Sequence, residues 1–292
     1  MSTIYRVGDV TIHRIVEDEA PFEEAARFLP NLTAQQLAES RSWMAPAALD
    51  PATDRLIFCF QSYLVVTPHH KILIDTCVGN DKERPGRGAW HQNKSTSYMD
   101  ALAAAGFGVG DIDAVMCTHL HVDHVGWNTR LQDGQWVPTF PNARYLFSER
   151  ELDYWTARNA DTPIGPMVDS VLPIVAAGRA DLVRSDAAFG DHIRLQPTPG
   201  HTPDHFAVQI GRGSLTDAVV TGDLIHSPLQ ARYPELHMRV DYDPALAVAT
   251  RRKFLEDYCD TATLCCMAHF PSPSVSRIKR WGDGFRCEPV ES

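Results

Sequence analysis

His119-Leu120-His121-Val122-Asp123-His124 packs three imidazoles and a carboxylate into six residues. Side chains at that spacing cannot all face one way on a regular strand or helix, so the stretch reads as a loop wrapped around metal. His119 and His121, two apart, point the same way from an extended segment. Asp123 and His124 follow after the chain turns and can serve a second ion close by. Neutral imidazole is a good zinc ligand, and a carboxylate adds charge and a harder oxygen donor. With 13 histidines in the chain, chance produces H-x-H-x-D-H with odds on the order of a few in a thousand. A His-rich surface loop is therefore the weaker reading, the more so because further candidate ligands follow downstream.

Working outward, Asp113–Thr118 reads as a short buried strand that delivers the motif. Asp75 ends the apolar run Ile72-Leu73-Ile74. Downstream, His201 sits in Pro197-Thr198-Pro199-Gly200-His201-Thr202-Pro203-Asp204-His205, whose prolines and glycine hold a tight turn. Asp223 ends the apolar run Val219-Val220-Thr221-Gly222-Asp223, and His269 follows another in Met267-Ala268-His269-Phe270-Pro271. Strand ends that carry such side chains to one rim are how an α/β enzyme builds a site from distant sequence.

The remaining chain alternates β-like and helical segments without repeats. Strands are expected at Val10–Val16, Leu56–Val66 and Lys71–Asp75. Helices are expected over Ser95–Ala105, from a capping box at Ser148–Glu151, and from Asp243-Pro244 to about Cys259. Trp281-Gly282-Asp283-Gly284-Phe285 reads as a hairpin turn. Glu17–Asp50 holds helical pieces with Phe22, Phe28, Leu29, Trp43 and Met44, which serve either as core or as a hydrophobic flap or dimer contact.

Composition bounds the rest. The 292 residues are 44% hydrophobic, enough for a sizeable core, with a formal net charge of −10 that weighs against nucleic acid. Seven cysteines without a C-x-x-C pair argue against a disulfide framework. No signal peptide or membrane span is legible, so a soluble, cytoplasmic protein with no membrane partner is expected.

The order H-x-H-x-D-H, Gly-His, Gly-Asp and a late His resembles the metallo-β-lactamase superfamily. That resemblance implies an α/β fold, an αββα sandwich of two mixed β-sheets flanked by helices, as one domain over residues 1–292. It places His119, His121 and His201 on one metal, Asp123, His124 and His269 on a second, and Asp223 between both. Two divalent ions are implied, zinc foremost, with iron, manganese or cobalt also accepted by N/O donors. Asp123-His124-Val125-Gly126-Trp127 and the stretch His269–Pro289 resemble the methyl parathion hydrolase and N-acyl homoserine lactonase branch. The implied activity is hydrolysis of a small carboxylic ester or lactone by a metal-bridging hydroxide, with promiscuous phosphotriesterase activity. Asp223, Asp123 and His226 are the residues expected to take part in the chemistry. His226 stands where the lactonases carry a tyrosine, and it either donates to the substrate or merely lines the pocket.

Behind the ligands, Asp75 either accepts an imidazole N–H or is a turn residue, and His205 is either a second supporting group or the start of a strand. Trp127, Phe206 and Tyr233 are candidates for an apolar pocket wall. A thioester hydrolase of the glyoxalase II kind and a mononuclear iron sulfur dioxygenase are the alternatives on this fold. A homodimer is expected through the apolar N-terminal segment.

Overall fold

The computed structural model describes residues 4–291. Met1 to Thr3 and Ser292, the two ends of the 1–292 span, lie outside the described residues, as does the start of the chain on which the expectation of no signal peptide rested. The chain divides into two compact units, residues 1–18 with 60–187 and residues 19–59 with 188–292.

The first unit carries a seven-stranded mixed sheet. From edge to edge its strands are Ile4–Val7, Val10–Glu24, Arg55–Val66, Lys71–Ile74, Ala114–Met116, Arg144–Ser148 and Ala180–Val183. The last four pair in parallel, which requires crossovers. Helix Ser97–Ala104 lies in the first and Glu149–Asp161 in the last, while the middle one carries the His119–His124 motif and the hairpin Thr129–Gln132/Gln135–Pro138. Ser148 caps helix Glu149–Asp161 by accepting the Glu151 N–H. Ile72 to Ile74 and Ala114 to Met116 are apolar and buried on both faces, as central parallel strands require. Tyr98, Leu102, Val115, Trp127, Tyr145 and Phe147 fill the core of this unit.

The second unit carries a seven-stranded mixed sheet of Ala188–Phe189, Ile193–Pro197, Phe206–Ile210, Ala218–Val220, Leu264–Cys266, Val275–Trp281 and Gly284–Pro289. Only Ala218–Val220 and Leu264–Cys266 pair in parallel, and helix Pro244–Tyr258 is the crossover between them. Its N-terminus is stopped as its sequence requires: Asp243 Oδ1 accepts the Leu246 N–H and Pro244 fills the first helical position. The final hairpin turns through Gly282-Asp283 between Trp281 and Gly284. Two mixed sheets with flanking helices are the architecture expected.

The segment 17–50 has the helical pieces expected, but it opens as strand. The strand that starts at Val10 continues to Glu24, followed by helices Ala25–Phe28 and Ala34–Met44. Phe28, Leu29 and Met44 are buried rather than presented to solvent. Phe22 stacks on Phe58 with ring centroids 5.2 Å apart, and Trp43 meets Trp281 edge-on at 5.1 Å. No helix among the described residues is long and apolar enough to cross a membrane.

Candidate metal centre

In the first unit, the strand Ala114–Met116 ends three residues before His119. His119 and His124 are buried, His121 and Asp123 half-buried. The His119 ring lies 4.6 Å from His121 and 4.1 Å from His124, centroid to centroid. Asp75 holds the group from behind. Its Oδ1 accepts the Thr118 backbone N–H at 2.8 Å, and its Oδ2 accepts the Thr118 hydroxyl and His124 Nδ1–H, both at 2.9 Å. Because that hydroxyl has given its proton to Asp75, His119 Nδ1–H donates to Thr118 Oγ1 at 3.1 Å. Both imidazoles are thereby fixed with the Nε2 lone pair directed away from the backbone.

The loop is locked by main-chain bonds between 76–77 and 124–127. Thr76 N–H donates to the His124 carbonyl, Gly126 N–H to Cys77 and Trp127 N–H to Thr76, each at 2.8 Å. A Cβ on Gly126 would stand 1.9 Å from the Val78 oxygen. Gly126→Ala is therefore expected to cost about 3 kcal/mol, at the upper end for overpacking. Urea unfolding checks this, and an unchanged midpoint would show that the loop has room. Trp127 is core rather than pocket wall: it stacks on Tyr98 at 5.4 Å and donates its indole N–H to Glu17 at 2.6 Å. Burial pushes the Glu17 carboxyl up to about 7, against the pull of that bond and of the Val78 and Gly79 N–H groups.

In the second unit, the Gly200-His201 turn rests on the first turn of helix Pro244–Tyr258. Gly200 has φ +130°, and a Cβ there would stand 2.3 Å from the Ala247 nitrogen. His201 Nδ1–H donates to Asp241 Oδ1 at 2.9 Å, and His269 Nδ1–H to the Cys59 carbonyl at 3.3 Å. Asp223 follows the strand Ala218–Val220 in a short helical turn, and its backbone N–H donates to His205 Nε2 at 2.9 Å. An accepting Nε2 makes His205 a neutral Nδ1–H tautomer, with Thr198 Oγ1 at 2.7 Å as its acceptor. His205 thus supports the Asp223 main chain.

Three imidazoles converge on the Asp223 carboxylate. Oδ2 lies 3.3 Å from His201 Nε2 and 2.9 Å from His226 Nε2, and Oδ1 lies 2.9 Å from His269 Nε2. Asp223, His226 and His269 each offer an atom to one compact cluster. The donor chemistry fits a cation. A carbonyl only accepts, so His269 carries its proton on Nδ1 and turns a lone pair toward a carboxylate oxygen. The Asp241 carboxylate imposes the same on His201. Two acceptors at that separation need a proton or a metal ion between them. Protons alone serve unevenly. Burial opposes charge on His201, but the hydrogen bonds and charges of Asp223 and Asp241 outweigh it and raise it to about 9. His226 is lowered to about 4, because there burial outweighs the attraction of Asp223.

An aromatic wall backs this half. Phe58 stacks on His269 at 5.3 Å, and Phe28 meets His226 edge-on at 5.5 Å. Phe206 is fully buried in the core, not in a pocket. Tyr233 directs its hydroxyl toward Glu39, 3.4 Å away. Sequence reading missed Asp241, Thr118 and Phe58. Thr118, adjoining the motif, was within reach of it; Asp241, 40 residues from His201, had no spacing signal.

The profile of the Metallo-beta-lactamase superfamily matches residues 61–269. No protein of curated function matches the chain. Among solved structures, the hydrolase AbOPH of the beta lactamase superfamily is 23% identical, with a TM-score of 0.82 over 100% of this chain and 98% of that one. AidC, described as a dizinc quorum-quenching lactonase in complex with a product, is 23% identical with a TM-score of 0.81 over the same shares. An N-acyl homoserine lactone hydrolase with N-hexanoyl-L-homoserine at its catalytic metal centre is 19% identical, with a TM-score of 0.59 over 84% of this chain and 87% of that one. These likenesses are likenesses of fold.

Proposed function

This chain belongs to the metallo-beta-lactamase superfamily, and from that premise we propose a dinuclear metal-dependent hydrolase of small carboxylic esters or lactones. In this reading the two units form one catalytic domain. His119, His121 and His201 would hold one ion and Asp123, His124 and His269 the other, with Asp223 available to both. Zinc is the ion that the imidazole-rich donor set favours. Such ions acidify a water and polarise the carbonyl oxygen when bound.

The residues of the chain supply the rest. Asp75 and Thr118 fix the tautomers of His119 and His124, and Cys59 fixes that of His269, so each presents an unprotonated Nε2. Asp123 adds a negative oxygen donor. Phe28 and Phe58 exclude water from one side of His226 and His269. Burial keeps His226 neutral at neutral pH, and its Nδ1 meets no hydrogen-bond partner among the described residues. We assign it to offer a ring N–H as a hydrogen-bond donor to the substrate's oxygen, with no proton transferred. AidC, a lactonase solved with the product N-hexanoyl-L-homoserine, supports lactones as the first substrates to try.

The observation that carries the reading is the convergence of three imidazole Nε2 atoms on the buried Asp223 carboxylate. Zinc-reconstituted protein is expected to release protons, at fixed pH, from acyl lactones and aryl esters, and more slowly from methyl parathion. A chelator should abolish release. Silence on this whole panel with two ions bound would overturn the reading in favour of thioester hydrolysis or iron-dependent sulfur oxidation.

A further inference from the structure

The segment 234–243 has no place in the metal motif, yet it is tied to the Gly200-His201 turn by main-chain and side-chain bonds. Tyr242 N–H donates to the His201 carbonyl at 3.1 Å and Asp243 N–H to the Gly200 carbonyl at 2.9 Å. Between these bonds the Asp241 side chain reaches back to His201 Nδ1 at 2.9 Å. Its other oxygen accepts the Met238 N–H at 2.8 Å. Both carboxylate oxygens are thus engaged in a side chain that is 1% exposed.

The segment is itself braced. Arg251, buried in helix Pro244–Tyr258, donates to the carbonyls of Pro234 at 2.9 Å and Leu236 at 2.5 Å, and to that of Leu224, beside Asp223, at 3.0 Å. From the N-terminal segment, the Phe28 carbonyl accepts the Arg239 N–H and Asn31 Oδ1 accepts the His237 N–H, each at 3.1 Å. Residues 28 to 31 therefore work as a brace for this strap.

We propose that Asp241 is a positioning residue that fixes the His201 ring and tautomer and strengthens Nε2 as a metal donor. The inference rests on the metal-hydrolase reading above. Its physical basis is that a carboxylate accepting Nδ1–H polarises the imidazole and removes its rotational freedom, so the lone pair is both more basic and already aimed. An isolated ring would have to give up that freedom on binding.

The test is zinc titration of the full chain by chelator competition, resolving the two ions. Wild type is expected to take up two. Asp241→Asn, nearly isosteric but uncharged, should weaken one ion about 10–100-fold and leave the other unchanged. The unfolding midpoint of chelator-treated protein should stay within the range of wild type. Two unaltered affinities in the variant would overturn the inference alone. Both ions weakened together, with a lowered midpoint, would overturn it in favour of a purely structural role. A wild-type chain that takes up no zinc overturns the metal reading and this inference with it. Should the variant not fold, long-range proton–nitrogen NMR of zinc-loaded wild type decides: a proton on His201 Nδ1 supports the assignment, and one on Nε2 overturns it.

Discussion

Replacing Asp223 by Ala is expected to lower kcat/KM by about 10³-fold or more and to leave the protein well short of two bound ions. The carboxylate is the one anionic group on which His201, His226 and His269 all converge. Without it, the three imidazoles lose the carboxylate they share, and a bound ion would no longer hold its water's pKa near 7 rather than about 15.7. The fold should survive. The contact from residue 223 to His205 uses the backbone N–H, which an alanine keeps. Metal analysis together with initial rates on the best ester or lactone is the measurement, with urea unfolding of the chelator-treated protein as control. Full activity in Asp223→Ala would end the assignment.

The largest effect on stability is expected at Asp169. Arg84 meets its carboxylate with two bonds of 2.6 and 2.9 Å, and Lys82 Nζ lies 3.8 Å from Oδ1. Lys82 is fully buried, bonded to Thr129 Oγ1 at 2.6 Å and placed 3.7 Å above the Trp136 ring. Two buried cations share one carboxylate, and burial, the first of the influences on Lys82, lowers it to about 7 despite Asp169. Asp169→Ala leaves Arg84 with no anion, which costs about 3–5 kcal/mol for a buried pair broken on one side. Urea unfolding at neutral pH reads the loss. Pairing the change with Arg84→Met should recover much of it, because the uncompensated charge is then gone as well. A single variant as stable as wild type would show that the guanidinium escapes to water.

Much of this was legible in the chain before any coordinates. The motif from His119 to His124, the strands around Ile72 and Val115, the Asp243-Pro244 helix start and the Gly282-Asp283 hairpin are all local signals. Each depends on residues a few positions apart, where spacing maps directly onto geometry. The N-terminal segment was legible only as apolar. Its side chains read equally as core or as a flap, and the burial of Phe28, Leu29 and Met44, with Phe28 against His226, is a product of the fold.

The sequence by itself determined the superfamily, the set of metal-capable side chains and the strand ends that carry them, because these rest on residue type and short-range order. Only the tertiary structure decided which nitrogen each histidine presents. That choice belongs to partners such as Cys59 for His269 and Asp241 for His201, which no reading of the sequence named. Those bonds span 210 and 40 positions. An imidazole's tautomer is set by whichever acceptor the fold brings to it, and no spacing rule in one chain encodes a contact made across hundreds of residues.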